Sequence, residues 1–442
     1  MKILIVNGSP RGRFSVTLQT CLYLEKRFSR HSFEYLNVGA GIAAFEKDMA
    51  PAAAAFARAE LVIFAYPVYT FLVPSQLHRF IELMKEHKLA VKNQFVTQLS
   101  TSMHFFDMTA HRFLEDNFRD MGMRPIRGLS AGMEDLLSEQ GRREAEAFLD
   151  YAIFCAEHGV WDRQVPPPAQ VPAPVYECAV EPCEKQDGFD TVIVGDLREG
   201  DESLRALIKD FGAAYPYKTR FVNIADFPFK GGCLGCLTCA SSGSCVYKDG
   251  FETLLRDTIQ SADAIVYAFT LRDHSMGSRF KMFDDRQFCN GHRTTAEGKP
   301  IAYLCLGDCT GEENLLTVLR ARADVGHSFL AGVACDAQSI RDTAARLAYA
   351  LEQRLVPPRG FYGVGGMKIF RDLIWLMRGV MPEDHRFYRR HKLYDFPQKR
   401  WPRMLGLSLL GVLMRSRGLR RLIGGKMNEG MLAPYRKVLE DK

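Results

Sequence analysis

Four cysteines that stand close together in the middle of the chain are the residues best suited to chemistry. Cys233, Cys236, Cys239 and Cys245 have the spacing Cys-x2-Cys-x2-Cys-x5-Cys, in a segment rich in glycine. Thiolates in tight runs of this kind hold iron–sulfur clusters, and glycine lets the backbone wrap around a bound group. Structural zinc usually takes two separated cysteine pairs. The spacing therefore favours a cluster, with a loop that holds no metal, a zinc site and thiol redox chemistry as the alternatives.

A second candidate site lies near the N-terminus, between a strand and a helix. Residues 3–6 are a continuous apolar run, typical of a strand buried on both faces of a parallel sheet, and a helix with apolar spacing follows at Leu18. The loop of residues 7–17 offers hydroxyls, backbone N–H groups and the positive end of a helix dipole, and Arg11 adds a charge. This pattern predicts a phosphate site, with an ordinary polar turn as the alternative.

The loop reads GSPR followed by Ser-x-Thr, and in this it resembles the phosphate loop of the flavodoxin-like NAD(P)H-dependent flavin reductases, which hold FMN. Residues 59–74 resemble the strand and P-x-Y-x-x-x-x-P loop that lie against the flavin ring in that family, and residues 95–106 correspond to the third flavin loop. Such loops converge at the carboxyl ends of successive parallel strands. The resemblance implies that FMN is bound by Ser9, Arg11, Ser15, Val16, Thr17, Pro67, Val68, Tyr69, Thr70, Phe71, Thr101, Ser102, Met103 and His104.

No catalytic side chain follows from these motifs. His104 and His111 could donate a proton to a substrate, or they could be surface or hydrogen-bonding residues, because a general acid is assigned from geometry first.

The chain length of 442 residues predicts two to three domains. A proline-rich stretch after Trp161 marks a boundary, and a strand pattern like that of the N-terminus restarts at residues 191–195. Its loop, residues 195–203, carries four carboxylates that would repel a phosphate. We predict an FMN-binding domain (1–160), a linker (161–187), a degenerate second domain with the cysteines (188–357) and a basic helical extension (358–442). The predicted fold class is α/β, with two flavodoxin-like doubly wound parallel sheets, each in three αβα layers, and a helical C-terminal tail.

The cysteine run, followed by Lys248-Asp249-Gly250, also resembles the iron–sulfur flavoproteins, which pair FMN with a [4Fe–4S] cluster. Residues 278–286 resemble a helix of the flavin reductases. The first half has the phosphate loop and the second half has the thiols, so we expect the pair to behave as a fused dimer in which one flavin and one cluster work across the domain interface.

The net charge of +6 is unevenly distributed. Residues 358–442 contain 19 Lys and Arg against 7 Asp and Glu, a net charge of +12, and the rest of the chain carries −6. Residues 404–414 are an apolar run flanked by arginines, which fits an interfacial membrane helix, a docking segment for a redox partner, or a helix packed at a domain boundary. No base-reading pattern indicates nucleic acid. The free cysteines and the absence of a signal peptide predict a cytoplasmic protein, and we expect a homo-oligomer.

Together these features predict a flavin-dependent oxidoreductase. FMN, with a [4Fe–4S] cluster, would pass electrons from NAD(P)H or a protein donor such as ferredoxin to a small molecule or a redox protein. The alternatives are an electron-transfer flavoprotein whose tail docks a partner or a membrane, and a scaffold or sensor that has lost the flavin. The substrate does not follow from the sequence.

Overall fold

The computed structural model describes residues 1–163, 175–413, 415, 432, 438 and 439. Part of the predicted linker and most of the chain after residue 413 therefore lie outside the described residues. We call residues 1–163 the first half and residues 175–357 the second half.

The first half is built on a parallel sheet whose strands follow the order β2-β1-β3-β4-β5, with β6 also paired to β4. Ile3 and Ile5 face one side of β1 while Leu4 and Val6 face the other, and all four are buried because helices cover both faces. The strands are β1 (Lys2–Asn7), β2 (Ser32–Leu36), β3 (Leu61–Pro67), β4 (Phe95–Ser102), β5 (Arg124–Pro125) and β6 (Leu129–Gly132). The helices are α1 (Val16–Arg27), α2 (Val38–Phe45), α3 (Ala50–Arg58), α4 (Ser75–Glu86), α5 (Asp107–Asp120) and α6 (Glu139–His158).

The second half repeats this architecture, with a parallel sheet in the order β8-β7-β9-β10-β11. The strands are β7 (Gln186–Gly195), β8 (Tyr217–Asn223), β9 (Ala264–Thr270), β10 (Ile301–Leu306) and β11 (Leu330–Ala334). The helices are α7 (Glu202–Ala214), α8 (Thr238–Ser242), α9 (Phe251–Thr253, continued by a π-helix over Leu254–Ile259), α10 (Ser278–Arg286), α11 (Glu313–Gly326) and α12 (Ala337–Glu352). When the strands of each half are numbered along the chain, both sheets have the spatial order second, first, third, fourth, fifth, which is the flavodoxin-like order. The predicted fold class is confirmed.

The repeat extends to the loops after the third strands. In the first half, Tyr69 and Leu72 exchange backbone hydrogen bonds of 2.8 and 3.0 Å around a turn at residues 70–71. In the second half, Arg272 and Ser275 do the same, at 2.9 and 2.8 Å, around a turn at residues 273–274. All four turn residues have positive φ, between 44° and 68°. The two loops thus share one backbone conformation although their side chains differ.

The two halves face each other through one face of each sheet. One continuous apolar core contains Phe80 of α4, Phe113 of α5, Phe283 of α10 and Leu319 of α11. Two smaller cores lie on the far faces, one beneath α1 and α6 and the other beneath α7 and α12. The loops and helix termini at the carboxyl ends of β3 and β9 are therefore held close together.

Three helices follow the second half: α13 (Phe361–Leu376), α14 (Pro382–Arg390) and α15 (Trp401–Leu413). The chain forms two compact units, Met1–Arg386 and Phe387–Lys442, so α13 belongs to the unit that contains both sheets. In the second unit, α15 has no buried residue. No helix in the described part of the chain has both the length and the apolar composition needed to cross a bilayer.

Candidate functional site

A cavity of about 340 Å³ lies where the two halves meet. Binding sites of small molecules and cofactors commonly have volumes of this order or larger, about 300–1,000 Å³. Its lining includes the predicted FMN residues Ser9, Arg11, Ser15, Val16, Thr17, Pro67, Val68, Tyr69, Thr70, Phe71, Thr101, Ser102 and Met103, and the predicted cluster ligands Cys233, Cys236, Cys239 and Cys245. The structure therefore brings the predicted flavin loops of the first half and the thiols of the second half to one site.

Hydrogen bonds within the N-terminal loop, residues 7–17, and to the first turn of α1 fix the conformation of this loop. The Asn7 side chain donates to the Gly12 carbonyl at 3.2 Å and accepts from the Ser9 N–H at 3.2 Å. Ser15 caps α1 by accepting the Leu18 N–H at 3.3 Å. Ser15, Val16 and Thr17 line the cavity, where the first turn of the helix has N–H groups without intrahelical partners. This arrangement favours an anion.

The third predicted flavin loop is joined to the first by a hydrogen bond. The hydroxyls of Thr17 and Thr101 lie 2.6 Å apart, and both are buried. Because Thr101 is in β4 and Thr17 is in α1, this bond fixes the loop after β4 against the start of α1. The two loops therefore form one wall of the cavity.

The second predicted flavin loop contacts the cysteine loop, residues 230–250. A Cβ atom on Gly235 would lie 1.9 Å from the Tyr69 hydroxyl oxygen, so only glycine allows the observed approach, and Gly235 also has φ +62°. The side-chain amide of Gln76 donates to the Cys233 carbonyl at 3.3 Å. The glycines of the cysteine run thus serve close packing across the two halves.

Two thiols of the cysteine loop, those of Cys233 and Cys239, are protonated at neutral pH in the absence of a cation. Burial raises the pKa of Cys233 to about 12 and the pKa of Cys239 to about 11. Within the described residues, no three of the four sulfur atoms lie within 4.8 Å of one another. Tetrahedral zinc, with Zn–S bonds of about 2.3 Å, would place its sulfur ligands about 3.8 Å apart. The sulfur positions are therefore not those of a preformed zinc site.

A buried arginine anchors the cysteine loop. Arg286, at the end of α10, forms a two-pronged ion pair with Asp249, at 2.9 and 2.8 Å, and donates to the Gly231 carbonyl at 2.9 Å. Its guanidinium also lies 4.6 Å from the ring centre of Tyr247. Both ends of the cysteine loop are thus tied to the end of α10.

One wall of the cavity comes from α13, which no sequence motif assigned to the site. Ile369, Phe370 and Leu373 line the cavity, together with Met377 just beyond the helix. The N-terminus of α13 is fixed by Asp324, whose carboxylate accepts the Gly360 and Gly363 N–H groups at 2.7 and 2.6 Å. The amphipathic spacing of this helix predicts an apolar face, but not what that face covers.

Another residue that spacing did not indicate is Cys289, which follows α10. Cys289 is buried, lines the cavity, and has a pKa raised to about 12 by burial. It lies 44 residues beyond Cys245 in the chain and close to it in space. The site therefore contains a fifth thiol.

Of the predicted FMN residues, His104 does not line the cavity. Its ring is exposed and lies 3.4 Å from the Asp107 carboxylate. His111, on α5, is partly buried and shares a hydrogen bond of 2.8 Å with the Ser100 hydroxyl. Burial lowers the pKa of His111 to about 4, so its ring is neutral at physiological pH.

Residues 195–203 of the second half, which correspond to the N-terminal loop, form ion pairs of their own. Asp196 is buried, and its carboxylate lies 3.4 Å from Arg198 and 3.7 Å from Arg279. Burial raises the pKa of Asp196. The arginines thus pair with this carboxylate, at the place where the first half has its polar loop.

The comparisons with known proteins agree with this architecture. Residues 1–147 match the family model described as a flavodoxin-like fold. An iron-sulfur flavoprotein of Archaeoglobus fulgidus is 36% identical over 67 residues, which are 15% of this chain and 30% of that protein. The chain thus spans less than a third of the curated relative.

Solved structures give matches of low identity. An FMN-dependent NADH-azoreductase of Bacillus anthracis has 15% identity and a TM-score of 0.28, over 35% of this chain and 99% of that one. An NAD(P)H:quinone oxidoreductase of Methanothermobacter marburgensis has 12% identity and a TM-score of 0.28, over 37% of this chain and 98% of that one. Residues 1–147 have a flavodoxin-like fold, and the predicted resemblance to the iron–sulfur flavoproteins is matched by one relative over 67 residues.

Proposed function

We propose that the protein is a flavin-dependent oxidoreductase that binds FMN in the first half and a [4Fe–4S] cluster on the cysteine loop. The observation that carries the proposal is the shared cavity, which is lined by the three flavin loops and by all four cysteines of the run. Two redox groups in one cavity could exchange electrons without a further carrier.

The residues present fit FMN. The start of α1 and the hydroxyls of Ser9 and Ser15 are suited to a phosphate, and Arg11 lies beside them. The turn at Thr70 and Phe71, with positive φ at both residues, lies at the edge of the same cavity. When bound, FMN would supply one- and two-electron redox chemistry, while the protein binds it, orients it and excludes water.

The residues present also fit a cluster. Four cysteines in tight spacing lie on a loop whose ends are tied to Arg286, and a loop of this kind can keep its ligands in place around a large metal group. Ligation would require thiolates, so a bound cluster would have to offset the burial that raises the pKa of Cys233 and Cys239.

The walls of the cavity favour an apolar or aromatic acceptor. Phe370, Leu373 and Met377 line the cavity together with the predicted flavin loops, as do the exposed Met103 and Met133. Apolar walls exclude water from the reacting groups. Because His111 is neutral and His104 is exposed, we assign no proton donor to either.

A second candidate function is electron transfer between proteins, and the observation that favours it is α15. Its side chains Leu405, Leu407, Leu409 and Val412 are each more than half exposed. A redox partner or a membrane surface could cover them. In that case the cavity would hold the redox groups, and a small acceptor would be unnecessary.

Steady-state oxidation of NADH and NADPH, with quinone, nitro and azo compounds as acceptors, tests the enzyme. We expect turnover that depends on added FMN in protein depleted of flavin. No turnover with any acceptor, combined with rapid reduction by a low-potential protein donor such as ferredoxin, would favour the electron-transfer protein. A colourless protein that does not take up excess FMN would contradict both candidates.

A further inference from the structure

His78 is a buried histidine whose ring has no hydrogen bond. It is the fourth residue of α4, its side chain is fully buried, and within the described residues neither ring nitrogen has a hydrogen-bond partner. A buried polar atom without a partner costs about 1–3 kcal/mol, so such groups are rare. The ring contacts Phe113, with 4.6 Å between the ring centres, but this contact leaves both nitrogens unsatisfied.

Two carboxylates lie next to this ring. One side-chain nitrogen of His78 and one oxygen each from Glu82 and Asp273 all lie within 4.8 Å of one another. Glu82 is on α4 in the first half, and Asp273 is in the loop after β9 in the second half. The three donors therefore come from both sides of the interface between the halves.

Both carboxylates also have other partners. Glu82 accepts two hydrogen bonds from Ser278 and lies 3.0 Å from Arg79. Asp273 lies 2.9 Å from Lys85. A carboxylate has about four acceptor positions, and the three contacts of Glu82 do not fill them all.

The internal repeat has a positively charged side chain at the position equivalent to His78. Lys281 is the fourth residue of α10, as His78 is of α4. The Lys281 ammonium donates to the Thr70 hydroxyl at 3.1 Å and to the Asp285 carboxylate. Thr70 stands five residues before α4 and Asp285 is the eighth residue of α10.

The positions equivalent to Thr70 and Asp285 are those of the two carboxylates beside His78. Asp273 stands five residues before α10, and Glu82 is the eighth residue of α4. One side of the interface therefore has a cation between the two positions. The other side has the ring of His78 there, whose two nitrogens have no hydrogen-bond partner among the described residues.

We propose that His78, Glu82 and Asp273 bind a divalent transition-metal ion that joins the two halves of the chain. An imidazole nitrogen with two carboxylate oxygens is a donor set that suits zinc, and the imidazole disfavours magnesium and calcium, which prefer oxygen ligands. The ion takes the place that the Lys281 ammonium has on the other side. This site is separate from the cysteine loop and does not depend on FMN or on a cluster.

Cobalt(II) distinguishes this site from the cysteines. Full-length protein, treated with a chelator and kept reduced, is titrated with Co²⁺. Cobalt held by nitrogen and oxygen shows weak d–d bands, whereas cobalt held by thiolates adds an intense charge-transfer band. We expect one bound Co²⁺ per chain without the thiolate band, and competition by Zn²⁺.

Two variants and one control locate the ion. We expect His78→Asn and Asp273→Asn each to weaken the thiolate-free site by more than about 100-fold, since loss of a second-shell partner alone commonly costs 10- to 100-fold. His158→Asn, which changes an exposed histidine of α6, should leave the affinity unchanged. Zinc should also raise the melting temperature of the wild type, but not that of Asp273→Asn.

The proposal is overturned if the wild type shows only thiolate-bound cobalt, or if the thiolate-free site has equal affinity in the wild type and in Asp273→Asn. Melting curves recorded without metal show whether each variant is folded. Asp273→Asn keeps the size of the side chain and lies at the edge of the interface, so it provides the decisive comparison if His78→Asn fails to fold.

Discussion

Glu82 of α4 caps the N-terminus of α10: its carboxylate accepts the backbone N–H and the hydroxyl of Ser278, each at 2.6 Å. The relationship is reciprocal, because the Asp285 carboxylate of α10 accepts the backbone N–H of Ser75, the first residue of α4, at 2.8 Å. A carboxylate at a helix N-terminus is favourable because it satisfies free N–H groups and interacts with the helix dipole. Each half therefore completes a helix of the other, as the two subunits of a symmetric dimer would.

Removal of the Asp285 carboxylate should destabilise the interface between the halves. Asp285 is fully buried, accepts hydrogen bonds from Ser75 and Thr70, and pairs with Lys281. Asp285→Ala would leave the buried Lys281 ammonium with only the more distant Asp284 carboxylate, 4.0 Å away, and we expect a loss of about 3–5 kcal/mol in the free energy of unfolding. Denaturant titration measures the loss.

Asp187→Ala is the matched control, because Asp187 forms an exposed ion pair with Lys218 and its removal should change stability little. Equal unfolding midpoints for the two variants would show that the buried pair does not hold the interface.

His274 should make stability depend on pH above neutrality. Burial opposes the charge, but hydrogen bonds to Asp120 and Glu312, at 3.0 and 2.9 Å, outweigh it and raise the pKa of His274 to about 9. Because the pKa in the unfolded chain is about 6.5, the contribution to stability is complete below that pH and is lost as the pH rises through about 9. The full contribution is about 3 kcal/mol. Unfolding free energies measured from pH 6 to pH 10 test it.

His274→Gln should be less stable than the wild type at pH 6, and the difference should shrink towards pH 10. The same difference at every pH would mean that the charge of His274 does not contribute.

Substitution of Gly235 should disturb the contact between the cysteine loop and the second flavin loop. A Cβ atom there meets the Tyr69 hydroxyl at 1.9 Å, so Gly235→Ala must move one of the two loops. We expect FMN to bind at least about tenfold more weakly, a change of about 1.4 kcal/mol in binding free energy. Quenching of flavin fluorescence measures the affinity.

Gly250→Ala separates the steric clash from backbone strain. Gly250 also has positive φ, +84°, but beyond its chain neighbours no atom lies within 4 Å of the place that an alanine methyl group would take. Both variants carry a strain of about 1–2 kcal/mol, and only Gly235→Ala should lose affinity for FMN. Similar affinities in the two variants would count against a flavin beside Tyr69.

The apolar residues of α13 that line the cavity should determine which acceptors bind well. Leu373 lines the cavity, so Leu373→Ala enlarges the space beside the flavin loops. We expect a changed KM for bulky aromatic acceptors, with unchanged FMN content. Leu376→Ala alters a residue of the same helix that is 71% exposed and should behave as the wild type. Unaltered kinetics of Leu373→Ala with acceptors of every size would place the acceptor elsewhere.

The strands and the loops after them could be predicted from the sequence because their signals are local. The apolar runs at residues 3–6, 191–195 and 300–306 fall within or at the start of β1, β7 and β10, and the polar loop before α1 follows from the residues on either side of it. The repeated sheet could be recognised because each strand pattern is followed by a similar loop and helix.

The features that join distant parts of the chain could not be predicted. Glu82 and Ser278 are 196 residues apart, and nothing near either residue indicates the other. Cys289 belongs to the cavity only because α10 returns the chain to it. The sequence pattern of α13 predicts an apolar face but does not indicate what that face packs against. The lack of hydrogen-bond partners for the His78 ring can be recognised only when its neighbours in space are known.

The central claim is that FMN and an iron–sulfur cluster share one cavity between the two halves, and the cofactor content of the anaerobically purified protein tests it most directly. Flavin, iron and acid-labile sulfide are measured in the same preparation. The account predicts about one FMN with about four iron and four sulfide per chain. FMN with negligible iron would contradict the cluster, and a preparation without flavin that fails to take up added FMN would contradict the account as a whole.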